Sequence, residues 1–236
     1  MPKSFRVVLT REEEDARKDA ELIRRAGFEV RLLPLIKTRP LDFEPPRGRF
    51  NYVVFQSKKA LKYYLLKAPY PEGATPVAVG RKTAEAVKEL LKLEPLVAQK
   101  ERAEGLVELF KSLKPGKVLL PRSAVGREEL IKELPKLGFE VKAVNVYATE
   151  PVLYESFSLE PYSVVLLFSP SAAKALFANL QKSRTSPKEL KLTLVAVGPT
   201  TEKALKQLGL RPVLVAPTPS VEGVLELLKS LARKLQ

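Results

Sequence analysis

The sequence predicts an α/β protein with two similar parallel-sheet α/β domains joined by two extended connectors. Short apolar runs alternate with amphipathic helical patterns along the chain, which is typical of parallel strands covered by helices. The alternation occurs twice, because EGLVELFKSL at residues 104–113 returns as EGVLELLKSL at residues 222–231. A length of 236 residues is enough for two modest domains. We therefore expect two related units with a ligand-binding cleft between them.

The first copy begins with an apolar strand and a helix whose two ends are marked. Thr10 and Glu13 have the spacing of a capping box, and Gly27 is a favoured residue just after a helix. The predicted strands are residues 6–9, 30–35, 52–55, 76–79 and 96–98, and the predicted helices are residues 12–26, 103–113 and two that start near Lys58 and Lys82.

The second copy repeats this order. Phe139-Glu140-Val141 matches Phe28-Glu29-Val30, and Ala196-Val197-Gly198 matches Ala78-Val79-Gly80. Pro170 after Ser169 marks the first turn of a helix. The predicted strands are residues 118–120, 141–146, 164–168, 194–197 and 213–216, and the predicted helices are residues 127–137, 201–208, 221–231 and one that follows Ser169.

Two matching segments are the predicted connectors. Thr38-Arg39-Pro40 and Thr149-Glu150-Pro151 lie at equivalent positions, and a residue before proline favours extended backbone. If both copies pass to the opposite domain here, residues 1–36 plus 149–236 form one domain and residues 37–148 form the other. A simple division near Lys114 is the alternative that the sequence leaves open.

Charge and residue types limit the chemistry. The 41 Lys and Arg against 27 Asp and Glu give a net charge of +14, which favours anionic partners, although a solvated lysine-rich surface explains it equally well. Without cysteine or histidine the chain has no disulfides, no Cys-ligated metal site and no imidazole base. Catalysis would then use Tyr, Ser, Thr, Lys, Arg, carboxylates or the backbone.

The amino terminus and the apolar runs bear on location. MPKSFRVVLT lacks the apolar stretch and cleavage site of a signal peptide, and no run is long enough to span a bilayer. We therefore expect a cytoplasmic protein without a membrane partner.

Hydroxyl residues and arginines follow the predicted strands, where helix N-termini bind anions in parallel α/β sheets. Each hydroxyl could instead only cap a helix, and each arginine could be a surface residue. Taken together, both copies favour carboxylate or phosphate binding. Nucleotide binding is disfavoured, because neither a complete P-loop nor GxGxxG is present. The candidate binding residues are Arg11, Ser57, Thr83, Arg122, Ser169, Ser171, Thr200 and Thr201.

Tyr147 distinguishes the two copies. Alignment through Gly27 and Gly138 places Ile36 opposite Tyr147, so one copy has a phenol where the other has an aliphatic side chain. The tyrosine could pack its ring and hydrogen-bond its hydroxyl, or it could donate a proton in a cleft.

Several short segments, in order along nearly the whole chain, resemble the uroporphyrinogen-III synthase family. The segments are VLTR at residues 8–11, VFQS at 54–57, LLPR at 119–122, VYAT at 146–149, LFSPSA at 167–172, VGPTT at 197–201 and PTPSVEGVLELL at 217–228. Gln56, Lys58 and Ser220 depart from residues that are common in the family.

The resemblance implies a lyase that uses neither a metal nor an organic cofactor. Such an enzyme cyclises hydroxymethylbilane in heme biosynthesis, with loss of water and inversion of the last pyrrole ring. The family's tyrosine corresponds to Tyr147, the candidate general acid and sole candidate catalytic residue. The family's binding loops correspond to Ser57, Thr83, Ser169, Thr200 and Thr201. The small-molecule substrate is the expected partner, and we expect a monomer that binds no nucleic acid.

Two other functions remain open from the residues alone. A two-lobed module that binds an organic anion without catalysis would have the same duplication, and Tyr147 would then only pack. A nucleic-acid binder is suggested by charge alone, and the basic residues are spread along the chain.

Overall fold

A computed structural model describes residues 5–235, which form two compact units. Unit 1 combines residues 5–38 with residues 150–235, and unit 2 is Arg39–Thr149. The chain therefore passes from one unit to the other twice, within the two predicted connector segments, and Lys114 lies inside unit 2.

Strands and helices alternate through both units, as predicted. In chain order they are β1 (Arg6–Leu9), α1 (Glu13–Arg25), β2 (Glu29–Leu32), β3 (Ile36–Pro40), β4 (Tyr52–Phe55), α2 (Lys58–Leu65), β5 (Thr75–Ala78), α3 (Arg81–Leu91), β6 (Leu96–Val97), α4 (Ala103–Lys111), β7 (Lys117–Ser123), α5 (Glu129–Lys136), β8 (Glu140–Pro151), β9 (Val164–Leu167), α6 (Pro170–Ser183), β10 (Thr193–Ala196), α7 (Pro199–Gln207), β11 (Val213–Val215) and α8 (Val221–Lys234).

Unit 1 is built on a five-stranded sheet in the order β11-β10-β9-β1-β2, with every neighbouring pair parallel. Successive residues of β1 point to opposite faces, and Val7, Val8 and Leu9 are fully buried. Val8 packs in the cluster that contains α6 side chains, whereas Val7 and Leu9 pack in the cluster that contains α1 and α8 side chains. Helices therefore cover both faces of this sheet.

Unit 2 has the corresponding sheet, extended by one strand. The order is β3-β8-β7-β4-β5-β6, and the pairs from β8 to β6 are parallel. Val53 packs with α2 and α3 on one face, and Val54 packs with α4 and α5 on the other. The predicted class of two parallel-sheet α/β domains is confirmed.

The sequence repeat is also a repeat in the sheets. The order β6-β5-β4-β7-β8 matches β11-β10-β9-β1-β2 strand for strand, with β7 corresponding to β1 and β4 to β9. Each unit therefore contains the first strand-helix-strand segment of one repeat and the later strands of the other repeat.

The repeated EG dipeptide has a packing cause. A Cβ added to Gly105 in α4 would lie 2.0 Å from the Lys100 carbonyl oxygen, and one added to Gly223 in α8 would lie 2.4 Å from the Thr218 carbonyl oxygen. Both helices are thus approached so closely by the preceding loop that only glycine fits.

Some local predictions were wrong. The predicted capping box at α1 does not form, because the N-cap residue is Glu12 and no side chain caps it. Thr10 is fully buried and its hydroxyl donates to the Leu166 carbonyl in the neighbouring strand at 2.7 Å. Thr10 lies two residues before the N-cap, so it does not occupy the capping position. The helix predicted at residues 127–137 begins only at Glu129.

Candidate functional site

Unit 2 contains a cavity of about 320 Å³ at the carboxyl end of its sheet. The lining comes from the segments that follow β4, β5, β6 and β7, together with Tyr147 of β8. Its lining residues are Gln56, Ser57, Ala60, Val79, Glu101, Arg102, Ala103, Pro121, Arg122, Ser123, Gly126, Arg127 and Tyr147.

The strand order explains why the cavity forms here. β4 and β7 are neighbours, but the helices that follow them lie on opposite faces: α2 side chains pack in one core cluster and α5 side chains in the other. The two loops therefore diverge and leave a crevice between them. Such a switch point is the usual ligand site of an open α/β sheet.

Ser57 begins α2 at the wall of the cavity. Its Oγ accepts a hydrogen bond from the Ala60 amide at 3.1 Å, which caps the helix. The hydroxyl proton remains available to a ligand. Both interpretations of this serine, a cap and a donor, are compatible with its position.

Arg122 builds the cavity wall. Its guanidinium pairs with Glu128 at 3.0 Å and donates to Asn145 Oδ1 at 3.2 Å. It also donates to the carbonyls of Gly126 and Arg127 at 3.4 Å each, and only 12% of its side chain is exposed. Arg122 therefore holds the loop after β7 in place.

Two further arginines give the cavity its positive charge. Arg102 is exposed and pairs with Glu104 at 2.9 Å, an exposed pair that contributes little to stability. The side chain of Arg127 has no hydrogen bond or ion pair with any of residues 5–235. Neither arginine was predicted as a ligand. Arg127 fell inside the helix predicted at residues 127–137, which actually begins at Glu129.

Glu101 lies against the N-terminus of α3. Its carboxylate accepts a hydrogen bond from the Arg81 amide at 2.9 Å, and a Cβ on Gly80 would lie 2.6 Å from Glu101 Cδ. Thr83, a predicted ligand in the same helix, is only 6% exposed and does not line the cavity. The structure therefore presents no Thr83 hydroxyl to a ligand here.

Tyr147 reaches the cavity through an irregularity in β8. Arg122 pairs with Asn145 but the next residue, Ser123, pairs with Tyr147, so the register shifts by one residue at Val146. The shift turns the Tyr147 ring toward the face where Val144 and Val146 also pack. Bulges next to sites commonly redirect a side chain in this way.

The Tyr147 hydroxyl is available for chemistry. It forms no hydrogen bond to residues 5–235, and no buried side-chain oxygen or nitrogen among those residues lacks a partner. Since the hydroxyl has no partner, it must be in contact with solvent.

In unit 1 the residue equivalent to Arg122 is tied down. Arg11 pairs with Asp19 at 2.9 Å and with Asp15 at 3.8 Å. Its guanidinium also lies 4.8 Å from the centre of the Phe168 ring, within the range of a cation–π contact. Arg11 therefore has three intramolecular partners where it was predicted to bind a ligand.

The predicted hydroxyl residues of unit 1 follow β9 and β10. Ser169 caps α6 by accepting the Ala172 amide at 3.1 Å, and Ser171 is half-buried in the first turn of the helix. Thr200 is exposed at the start of α7, but the neighbouring Thr201 is only 1% exposed. Its burial does not support the predicted hydroxyl contact of Thr201.

Neither a metal-binding cluster nor a membrane-crossing helix occurs in the described part of the chain. No group of three or more His, Cys, Asp and Glu side chains within residues 5–235 could hold a metal ion. Within the same range, no helix has the length and apolarity needed to cross a membrane.

Comparison with known proteins identifies the family. The sequence profile described as "Uroporphyrinogen-III synthase HemD" matches residues 18–226. The chain belongs to the uroporphyrinogen-III synthase family. This family assignment connects the chain to tetrapyrrole biosynthesis.

Relatives agree with the family. An Archaeoglobus fulgidus protein provisionally named a uroporphyrinogen-III synthase is 26% identical over 96% of this chain and 99% of its own length. The chloroplastic uroporphyrinogen-III synthase of Oryza sativa subsp. japonica is 32% identical, over 47% of this chain and 36% of its own.

Solved structures show the same fold. The crystal structure of uroporphyrinogen-III synthetase from Helicobacter pylori 26695 matches with a TM-score of 0.69 at 20% identity, covering 96% of this chain and 99% of that one. A mutant uroporphyrinogen III synthase from the extremely thermophilic bacterium Thermus thermophilus matches with a TM-score of 0.59 at 18% identity, covering 99% and 100%.

Proposed function

We propose that this family member is a uroporphyrinogen-III synthase, a lyase that cyclises hydroxymethylbilane with inversion of the last pyrrole ring and loss of water. The observation that carries the proposal is the solvent-accessible Tyr147 hydroxyl in a basic cavity of a chain that belongs to this family. The reaction needs a proton donor and an anion-binding surface, and this cavity contains both kinds of group.

Tyr147 donates a proton to the departing hydroxyl of hydroxymethylbilane, which leaves as water. The resulting azafulvenium-like cation is attacked by the substituted carbon of the last ring to give a spiro intermediate. Fragmentation and reclosure invert that ring, and the proton released when the ring regains its aromaticity restores the phenol. The balance is one hydroxymethylbilane to one uroporphyrinogen III and one water.

Arg127 and Arg102 bind carboxylates of the substrate. Acetate and propionate groups line the edge of a linear tetrapyrrole, and arginine forms strong charge-assisted hydrogen bonds with carboxylates. Arg127 has no competing partner among residues 5–235, and the surface pair of Arg102 with Glu104 is readily exchanged. Ser57, at the N-terminus of α2, adds a hydroxyl donor beside a helix dipole.

The remaining expectations belong to the same proposal. We propose that the protein acts as a monomer in the cytoplasm on this small molecule, without a cofactor and without binding nucleic acid or membrane. The net charge of +14 then serves capture of a polyanion.

The decisive experiment is an isomer assay. Purified protein is incubated with freshly made hydroxymethylbilane, the products are oxidised, and the type I and type III porphyrins are separated. Because uncatalysed closure gives type I, a large excess of type III over a heat-inactivated control supports the proposal. Type I alone, with tight binding of the tetrapyrrole, would instead identify a non-catalytic organic-anion-binding module.

A further inference from the structure

Tyr147 is backed by a second tyrosine. The ring of Tyr63 in α2 is stacked on the Tyr147 ring, with centroids 5.1 Å apart and an angle of 18° between the ring planes. Tyr63 is half-buried and does not line the cavity. It therefore lies behind Tyr147 as seen from the cavity.

The Tyr147 ring depends on this support. In a regular strand, successive side chains point to opposite faces, so Tyr147 would face away from its neighbour Val146. The register shift places both side chains in the same core cluster, which includes Tyr63. The backbone fixes the direction of the ring, and the partner ring on α2 limits its rotation.

Helix α2 connects the cavity wall at Ser57 with the tyrosine pair at Tyr63. Its N-cap Ser57 and its first-turn residue Ala60 line the cavity, and its next turn carries Tyr63. A side chain further along the same helix can thus fix the distance between the Ser57 hydroxyl and the Tyr147 ring. Catalytic groups need such support, because a displacement of about 1 Å can cost a factor of roughly 100 in rate.

We propose that Tyr63 is a positioning residue that holds the Tyr147 phenol in the orientation required for proton donation. The proposal rests on the proposed function of Tyr147 for its kinetic consequence, but the fixing of the ring can be tested without catalysis. The contribution comes from the aromatic ring of Tyr63, so phenylalanine should replace it.

The kinetic test compares Tyr63→Leu with Tyr63→Phe. We expect Tyr63→Leu to lower kcat for type III formation by about tenfold and to change KM by less than about twofold, and Tyr63→Phe to retain wild-type kcat. In the Tyr147→Phe background, Tyr63→Leu should have no further effect on kcat. Equal losses in Tyr63→Phe and Tyr63→Leu, or additive losses with Tyr147→Phe, would overturn the proposal.

A matched control is available in the same core cluster. Phe43 stacks on Tyr64 with centroids 5.7 Å apart and an interplanar angle of 18°, and neither residue lines the cavity. Both Phe43→Leu and Tyr63→Leu should lower the melting temperature, but Phe43→Leu should leave kcat unchanged. A similar loss of kcat in both variants would show that any lost stack in this cluster impairs the enzyme, which would overturn the specific role of Tyr63.

Fluorine NMR tests the position of the ring independently of activity. In protein labelled with 3-fluorotyrosine, the Tyr147 resonance is assigned by its loss in Tyr147→Phe. Because loss of the Tyr63 ring current alone shifts this resonance, the measured quantity is its line width. We expect Tyr63→Leu, but not Tyr63→Phe or Phe43→Leu, to broaden it. An unchanged line width in Tyr63→Leu would overturn the proposal even if kcat falls, whereas inactive wild-type protein would refute the proposed function and leave this measurement decisive for Tyr63.

Discussion

Replacing the two repeated glycines by alanine should reveal how closely the loops pack against α4 and α8. A Cβ at Gly105 would lie 2.0 Å from the Lys100 carbonyl oxygen, and a Cβ at Gly223 would lie 2.4 Å from the Thr218 carbonyl oxygen. Ordinary contacts of this kind need about 3.4 Å, so the loop or helix must move by roughly 1 Å or more. The backbone atoms involved cannot rotate away as a flexible side chain could.

Two opposing effects determine how much the unfolding free energy of each variant changes. Alanine in place of glycine inside a helix is favourable by about 1 kcal/mol, whereas forced overpacking costs about 1–3 kcal/mol and sometimes more. Because the shortest clash is with backbone at both sites, we expect the clash to dominate. Each variant should lose about 2 kcal/mol of unfolding free energy, which corresponds to a decrease in Tm of roughly 4–8 °C for a protein of this size.

Calorimetry tests this prediction, with Glu108→Ala in α4 as control. Glu108 is exposed and its pair with Lys111 lies on the surface, so this variant should change the unfolding free energy by less than about 0.5 kcal/mol. If the two units unfold separately, Gly105→Ala should lower the transition of unit 2 and Gly223→Ala that of unit 1. A rise in Tm in either variant would show that helix propensity outweighs the predicted clash.

Three further predictions concern chemistry and pH. Tyr147→Phe should lower turnover about 100-fold in the type III assay while product affinity changes by less than about threefold; unchanged turnover would remove the general-acid role. Arg127→Met should raise KM by roughly tenfold without lowering kcat. The control is Lys82→Met, which should leave both constants unchanged because Lys82 is exposed and does not line the cavity. Burial, reinforced by neighbouring Tyr64, raises the pKa of Tyr70. Its contribution to stability is therefore complete below the unfolded pKa of about 10 and decreases as pH rises above it. Tyr70→Phe should lose less unfolding free energy than wild type between about pH 9 and pH 11 in urea titrations; equal losses would contradict the assignment.

The sequence predicted the architecture because the repeat and the strand-helix alternation are both periodic signals. Most strand bounds were predicted within one or two residues, since runs such as Tyr52–Phe55 are apolar on both faces and end at helix caps. Ser169 was predicted as a cap and its Oγ accepts the Ala172 amide. These features depend on local sequence, which a single chain displays.

The details of the cavity depended on longer-range packing. No local pattern indicates that Val146 leaves the register between β7 and β8, so the face on which Tyr147 lies could not be derived from alternation. Thr10 has the spacing of a cap, but the helix begins only at Glu13 and the Thr10 hydroxyl donates to the Leu166 carbonyl of the neighbouring strand. The Arg127 side chain likewise lacks an intramolecular partner within residues 5–235 because the neighbouring Glu128 pairs with Arg122 instead.

Comparison of the two repeats shows which side chains differ between the two switch points. Alignment through Gly27 and Gly138 places Asp15 opposite Gly126 and Asp19 opposite Leu130. In unit 1 both carboxylates bind Arg11, whereas Leu130 is buried in the core and cannot pair with the equivalent arginine.

Besides these two aspartates, a third side chain differs between the copies, in the loop after the central strand of each sheet. Ser57 and Ser169 both cap the helix that follows the central strand, and the residue before each is Gln56 in unit 2 and Phe168 in unit 1. Phe168 stacks against the Arg11 guanidinium, whereas Gln56 lines the cavity of unit 2. The backbone is repeated but these three side chains are not, so Arg11 has aspartate and aromatic partners that the equivalent Arg122 lacks. Tyr147 lines the cavity of unit 2, whereas the equivalent residue of the other copy is the aliphatic Ile36, so the repeat provides one phenol rather than two.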